Sequence, residues 1–195
     1  MLVSFSIMPA WFPTFIDSAH PLCTSGYVYI PSSAYLCSES MRRSDREITD
    51  FEKMIDIVRD CDVCRLAINT DGAPYIIPLN FGMSVENGVL VLYFHGALEG
   101  TKYDLIERDP HVSFEMDCSI ELYIDESGGM CTMLYRSVFG EGSIELLPEE
   151  ERYAPLKLIL AHYGREDLPV PAPMISQTMV MKLTVDSITG KQRKL

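Results

Sequence analysis

Basic residues are scarce in this sequence. Its 195 residues include 16 Lys and Arg against 28 Asp and Glu, which gives a formal net charge of −12. A surface of that sign repels phosphate backbones, so nucleic acid is not expected as a partner. A local basic pocket can persist within an acidic field, so a small phosphorylated ligand remains open. The shares of hydrophobic residues (47%) and charged residues (23%) are those of a folded globular domain.

Residues 1–40 lack Lys and Arg altogether and are interrupted by four prolines. A secretory signal needs a basic segment before an uninterrupted apolar run, and the prolines leave no stretch suited to a membrane-spanning helix. We therefore expect a cytoplasmic protein with no membrane partner. We interpret residues 1–40 as an N-terminal extension of doubtful function and residues 41–195 as the folded domain, with Met41 as the hypothetical natural start. The alternative is an arm that packs on the domain or on a partner subunit.

Patterns that bind metals are also missing. Cys61 and Cys64 form a CxxC pair, but a structural zinc site normally needs a second ligand pair, and no two histidines have metal-ligand spacing. A thioredoxin-type pair would stand between a strand and a helix, whereas this pair is predicted to follow a helix and precede a strand. We interpret Cys61 and Cys64 as reduced thiols at an element boundary, and we expect no bound metal.

From residue 41 onward, short apolar segments alternate with turn-forming residues. Thr49 and Glu52 have the spacing of a capping box, which predicts a helix of about three turns. Helices are also predicted over residues 101–108 and 148–162. Strands are predicted over residues 63–69, 75–81, 89–95, 111–118, 133–147 and 178–186, with turns at Asp71-Gly72, Glu86-Asn87-Gly88 and Thr189-Gly190. This pattern predicts a mainly β protein, an antiparallel β-barrel, closed or half-closed, with a few helices.

One segment combines groups that suit a negatively charged ligand. A buried strand ends at His95, a glycine-bearing loop follows, and a helix is predicted to begin at Thr101. Free N–H groups at the helix start, with the Thr101 hydroxyl and the Lys102 ammonium, would form an anion clamp. The simpler interpretation makes Gly100 a loop residue, Thr101 a helix cap, Lys102 a solvated charge and His95 a structural strand end. Neither a Walker loop nor a dinucleotide fingerprint is present.

Several segments together share the order and character of one family. They are Met41-Arg42-Arg43, Cys61-Asp62-Val63-Cys64-Arg65-Leu66, Pro74-Tyr75-Ile76-Ile77-Pro78-Leu79-Asn80-Phe81-Gly82, Tyr93-Phe94-His95-Gly96-Ala97, Tyr135-Arg136-Ser137-Val138-Phe139-Gly140 and Ile188-Thr189-Gly190-Lys191. They resemble the 5-nitroimidazole-resistance proteins of the pyridoxamine 5′-phosphate oxidase-like, FMN-binding split-barrel superfamily. The resemblance covers residues 41–195 and none of residues 1–40.

The resemblance implies a split β-barrel homodimer with FMN at two symmetric sites between the subunits. The strand before Gly82 would lie against the flavin ring, the loop after His95 would hold the phosphate, and His95 would lie at the active site. Gly96 stands where many relatives have a small hydroxyl residue, which puts one hydrogen bond in doubt. The cofactor-binding residues so implied are Pro78, Leu79, Asn80, Phe81, His95, Gly100, Thr101, Lys102, Arg136 and Ser137.

The function that the resemblance implies is an FMN-dependent oxidoreductase that reduces a small electron-poor substrate such as a nitroimidazole. An external donor, a nicotinamide or a reduced protein, would recharge the flavin. One alternative is an enzyme related to pyridoxamine 5′-phosphate oxidase. A second is a non-catalytic flavin- or haem-binding barrel, and a third is a barrel that has lost its cofactor affinity.

Overall fold

The computed structural model describes residues 43–194. A 3-10 turn (Ser44–Arg46) and strand β1 (Glu47–Ile48) lead into helix α1 (Phe51–Asp60). The N-cap of α1 is Asp50, whose Oδ1 accepts a hydrogen bond from the Glu52 N–H at 3.1 Å. The predicted capping box at Thr49 is therefore wrong by one residue. The Asp50 carboxylate supplies both an acceptor for a free N–H and a negative charge at the positive end of the helix dipole.

Long antiparallel strands dominate the remaining chain. The strands are β2 (Cys64–Ile68), β3 (Tyr75–Leu79), β4 (Phe81–Glu86), β5 (Val89–Gly96), β6 (His111–Asp125), β7 (Met130–Leu146) and β8 (Met179–Arg193). The helices are α2 (Thr101–Arg108), a 3-10 turn (Glu149–Glu151), α3 (Tyr153–His162) and α4 (Ala172–Ser176). No helix in this described part of the chain is long and apolar enough to cross a membrane.

The strand order shows how the sheet curves. It runs β3-β2-β6-β7-β8-β5-β4, with β1 added to β8. Only Asn80 separates β3 from β4, yet these two strands form opposite edges of the sheet. Starting from Pro78 on β3, the residues paired in turn across β2, β6 and β7 lead to Thr189 on β8. Starting from Phe81 on β4, the residues paired across β5 lead to Met181, which lies eight residues earlier on β8. Such an offset is the stagger of a rolled-up sheet. The prediction of an antiparallel split barrel is confirmed.

Strand β5 separates two hydrophobic cores. Leu92 and Phe94 point into the barrel core, which α1 also covers, while Val91 and Tyr93 point into a second core beneath α3. The predicted burial of this strand is confirmed, and it extends to both faces. Helix α3 lies directly on β4, because a Cβ at Gly82 would be 2.5 Å from the backbone nitrogen of Ile159.

Several predicted boundaries differ from the structure for tertiary reasons. The strand predicted over residues 75–81 breaks at Asn80, where the chain passes from one sheet edge to the other. The turn predicted at Thr189-Gly190 lies inside β8, where Gly190 gives α1 room, since a Cβ there would be 2.7 Å from Met54 Cγ. The helix predicted from Pro148 begins as the 3-10 turn. The turn at Asn87-Gly88 is confirmed, with φ values of 53° and 81°.

The CxxC pair lies where the sequence places it. Cys61 is the C-cap of α1 and Cys64 begins β2, and both are buried. Burial raises the pKa of both thiols. The predicted extension, residues 1–40, lies outside the described residues, so its separation from the domain at residue 41 stays a prediction.

Candidate functional site

The corner between β3 and β4 is held by hydrogen bonds from the end of α3. The Tyr163 hydroxyl donates to the Asp62 carbonyl at 2.7 Å and accepts from the Phe81 N–H at 3.1 Å. The Asn80 amide nitrogen donates to the same hydroxyl and to the Asp62 carbonyl, both at 3.1 Å. Phe81 is fully buried, so of the predicted flavin-facing residues only Pro78 and Asn80 present an exposed surface, with Leu79 half-buried.

His162 supports the same corner. Its Nε2 lies 2.8 Å from the Cys61 carbonyl oxygen, and because a carbonyl only accepts, this nitrogen carries the proton. Its ring packs on Phe81, with the ring centroids 4.2 Å apart. Sequence reasoning missed His162 and Tyr163, since their partners lie about eighty to one hundred residues earlier.

His95 lies beside this corner. Phe81 pairs with Phe94 at the end of the β4–β5 ladder, so Asn80 and His95 are the next residues on the two strands. The His95 side chain is exposed and has no hydrogen-bond partner among residues 43–194. Partial desolvation by surrounding protein atoms lowers the pKa of His95 below its usual value of 6.5. The lowered pKa favours the neutral imidazole at neutral pH, which donates a hydrogen bond through one ring nitrogen and accepts one through the other.

The loop after His95 closes against its own helix. Tyr103 Oη donates to the Ala97 carbonyl, and Lys102 Nζ lies 4.2 Å from the centre of the Tyr103 ring. A Cβ at Gly96 would be 2.7 Å from Tyr103 Oη and 3.1 Å from Lys102 Nζ, so the missing side chain leaves room for both groups. Helix α2 spans the predicted residues, and its N-cap is Gly100, with φ 150°, rather than Thr101.

This loop has the composition of an anion site. Within the described chain Lys102 forms no ion pair, and no side chain caps the first N–H groups of α2. An ammonium group and unpaired helix N–H groups together favour a phosphate-type ligand. The residues present therefore fit the phosphate end of a flavin nucleotide.

A family model described as pyridoxamine 5′-phosphate oxidase matches residues 50–192 of the chain. The chain belongs to the pyridoxamine 5′-phosphate oxidase family. Its flavin-binding superfamily includes oxidoreductases. No curated protein is detectably similar in sequence.

Solved structures of this family and of similar proteins share the fold. A candidate 5-nitroimidazole antibiotic resistance protein from Bacteroides thetaiotaomicron is 28% identical, with a TM-score of 0.65 over 75% of this chain and 86% of that chain. The flavocytochrome Anf3 from Azotobacter vinelandii is 22% identical, with a TM-score of 0.65 over 80% and 73% of the two chains. An FAD- and haem-binding protein from Mycobacterium smegmatis is 18% identical, with the same TM-score over 77% and 74%. The resemblance of the sequence to the split-barrel superfamily is confirmed.

Two further residues implied by the family resemblance, Arg136 and Ser137, lie at a different level of the barrel. Arg136 pairs with Gln192 on β8, whereas His95 pairs with Val180, twelve residues away along that strand. The Arg136 guanidinium contacts Asp60 at 2.7 Å and the Ser119 hydroxyl at 2.8 Å. Ser137 is buried within the sheet. The structure therefore brings Asn80, His95 and the Lys102 loop together, while Arg136 reaches the same corner only indirectly, through the segment 60–62.

Proposed function

We propose that this chain is an FMN-dependent oxidoreductase that reduces a small electron-poor substrate of the nitroimidazole type. The observation that carries the proposal is the position of the Lys102 ammonium. It is folded over Gly96, next to the neutral His95 in the chain, and has no carboxylate partner in residues 43–194. The likeness to the Bacteroides protein supports the substrate class. The electron donor, a nicotinamide or a reduced protein, would be external.

In this proposal each part of the site has one task. Lys102, the Thr101 hydroxyl and the free N–H groups of α2 bind the phosphate, and Gly100 gives the loop its shape. The β3 edge from Pro78 to Asn80 lies along the ring system. When bound, the flavin supplies the electron-transfer chemistry. His95, in its neutral form, orients the substrate by a hydrogen bond from its ring N–H.

The proposal is tested by replacing Lys102. A charge-assisted hydrogen bond contributes about 1.5–3 kcal/mol, so Lys102→Gln is expected to weaken FMN binding about 10- to 150-fold in a fluorescence titration. Riboflavin, which lacks the phosphate, should bind the variant as it binds the wild type. Lys53→Gln, on the exposed face of α1, is the matched control. Unchanged FMN affinity in Lys102→Gln would contradict the assignment of Lys102 as a phosphate-binding residue.

We further propose that the chain acts as a homodimer. The outer part of the β6–β7 hairpin carries an apolar ribbon formed by Leu122, Ile124, Cys131 and Met133. Leu122 and Ile124 alternate along β6 and pair directly with Met133 and Cys131, so all four share one face. Leu122 and Ile124 are 56% and 58% exposed, and contiguous exposed apolar surface is typical of a protein interface.

A dimer also gives Arg136 and Ser137 a role. Because they lie at a different level of the barrel from Lys102, they are better placed for a ligand shared between two subunits than for a ligand on one. Light scattering should give twice the chain mass for the wild type. Leu122→Glu should give the monomer mass, whereas Val89→Glu, at the exposed first residue of β5, should not. A monomeric wild type would contradict the dimer.

A further inference from the structure

Arg152 is a buried cation whose hydrogen-bond acceptors all lack charge. Its side chain follows the 3-10 turn before α3, and the residue is only 8% exposed. Nε donates to the Leu147 carbonyl at 2.9 Å, Nη1 donates to the Thr178 carbonyl at 3.2 Å, and Nη2 lies 3.5 Å from Met179 Sδ. Among residues 43–194 no carboxylate pairs with it. Taking a charge out of water is costly unless an opposite charge compensates it.

Met179 connects the guanidinium to the Gly96–Lys102 loop. Met179, which the guanidinium contacts, pairs with Gly96 at the end of the β5–β8 ladder. Burial raises the pKa of Tyr103, and the positive charge of Arg152 opposes part of that effect. The Tyr103 hydroxyl in turn binds the Ala97 carbonyl. Arg152 and Lys102 thus approach the same loop, one from the protein interior and one from the ligand side.

We infer that Arg152 is a positioning residue for an anionic ligand, supplying from the interior a second positive charge to the phosphate held by the Gly96–Lys102 loop. This inference rests on the proposed function in taking that phosphate to be the FMN phosphate. Guanidinium stays protonated at every physiological pH, so the charge is permanent. Glu99 and Asp104, the acids nearest in sequence to Lys102, are exposed and form no ion pair with Arg152.

A purely structural role for Arg152 predicts a different outcome. Its two carbonyl contacts tie the start of α3 to the ends of β7 and β8, and this tether would act equally on every ligand. A buried charge acts on the phosphate alone. The discriminating quantity is therefore the ratio of FMN affinity to riboflavin affinity, because riboflavin carries the same ring and ribityl chain without the phosphate.

The experiment compares Arg152→Gln and Arg152→Lys with wild type in fluorescence titrations with FMN and riboflavin. A unit charge several ångströms from a phosphate, at the effective dielectric constant of a partly exposed site, changes the affinity by about fivefold. Arg152→Gln should lower FMN affinity by about that factor and leave riboflavin affinity within about twofold, while Arg152→Lys should retain the preference. An equal fall for both ligands, or no fall for FMN, would overturn the inference.

A second variant keeps the test valid if Arg152→Gln fails to fold. Met179→Glu places a carboxylate next to the guanidinium without removing the tether, and should lower the preference for FMN, whereas the near-isosteric Met179→Gln should not. Unchanged preference in Met179→Glu would contradict the inference.

A failure of the flavin proposal can be distinguished from a failure of the inference about Arg152. If wild type binds neither FMN nor riboflavin, thermal stabilisation by inorganic phosphate becomes the test. Stabilisation of wild type that Arg152→Gln loses would support the charge assignment, and equal stabilisation, or none in either protein, would contradict it.

Discussion

Replacing Tyr163 with Phe removes the hydroxyl that holds the β3–β4 corner and leaves the ring in place. Three hydrogen bonds involve this oxygen, with the Asp62 carbonyl, the Phe81 N–H and the Asn80 amide. Asp62 and Asn80 keep their mutual bond at 3.1 Å, whereas the Phe81 N–H loses its hydrogen bond to the hydroxyl. An unsatisfied amide of that kind costs about 1–3 kcal/mol, and we expect Tyr163→Phe to lower the free energy of unfolding by that amount.

Denaturant unfolding followed by circular dichroism measures this loss. Tyr153→Phe is the matched control, because Tyr153 begins the helix that Tyr163 caps, is 53% exposed and has no hydrogen bond within the described residues. Its free energy of unfolding should change by less than about 0.5 kcal/mol. The double variant with Asn80→Ala should lose less than the sum of the single changes, because both residues act on one corner. Equal stability of Tyr163→Phe and Tyr153→Phe would refute the role of Tyr163.

Three further expectations address the packing, the thiols and the imidazole. Gly82→Ala should destabilise the fold by about 1–3 kcal/mol in the same unfolding assay, since the added Cβ would meet the α3 backbone. Gly72→Ala, with open space around the added Cβ, should be nearly neutral. Equal effects of the two substitutions would contradict the placement of α3. The raised pKa of Cys61 and Cys64 leaves little thiolate at pH 8. Both thiols should therefore resist iodoacetamide in the native protein and react after denaturation, as measured by peptide mass spectrometry. Rapid labelling of the native protein would contradict their burial. His95→Gln should retain flavin but lower turnover at least about tenfold. If activity of the wild type falls at acidic pH, the midpoint of that fall should lie below 6.5, because the pKa of His95 is lowered, and the variant should lose it. An unchanged pH profile in the variant would show that His95 is only structural.

Local signals in the sequence were sufficient for the elements around the loop. The strand predicted over residues 89–95 and the helix predicted over residues 101–108 correspond to β5 and α2. Both depend on residues close together in the chain, so tertiary contacts had little to change. The His95–Lys102 loop could therefore be placed correctly between a strand and a helix from the sequence alone.

The parts that the sequence did not predict depend on distant contacts. The break at Asn80 arises because the chain moves from one sheet edge to the other, which no local pattern records. Gly190 resembles a turn residue locally but makes room for α1 inside a long strand. Tyr163 and Arg152 gain their roles only when α3 packs against the barrel, so in the sequence they read as ordinary helix-end residues.

The absorption spectrum of the purified protein, with identification of any chromophore released on denaturation, shows whether the chain binds FMN. We expect flavin bands, or their appearance after FMN is added, and FMN as the released compound. A haem Soret band, or a colourless protein that also fails to bind added FMN, would contradict the assignment of the His95–Lys102 loop as a flavin phosphate site.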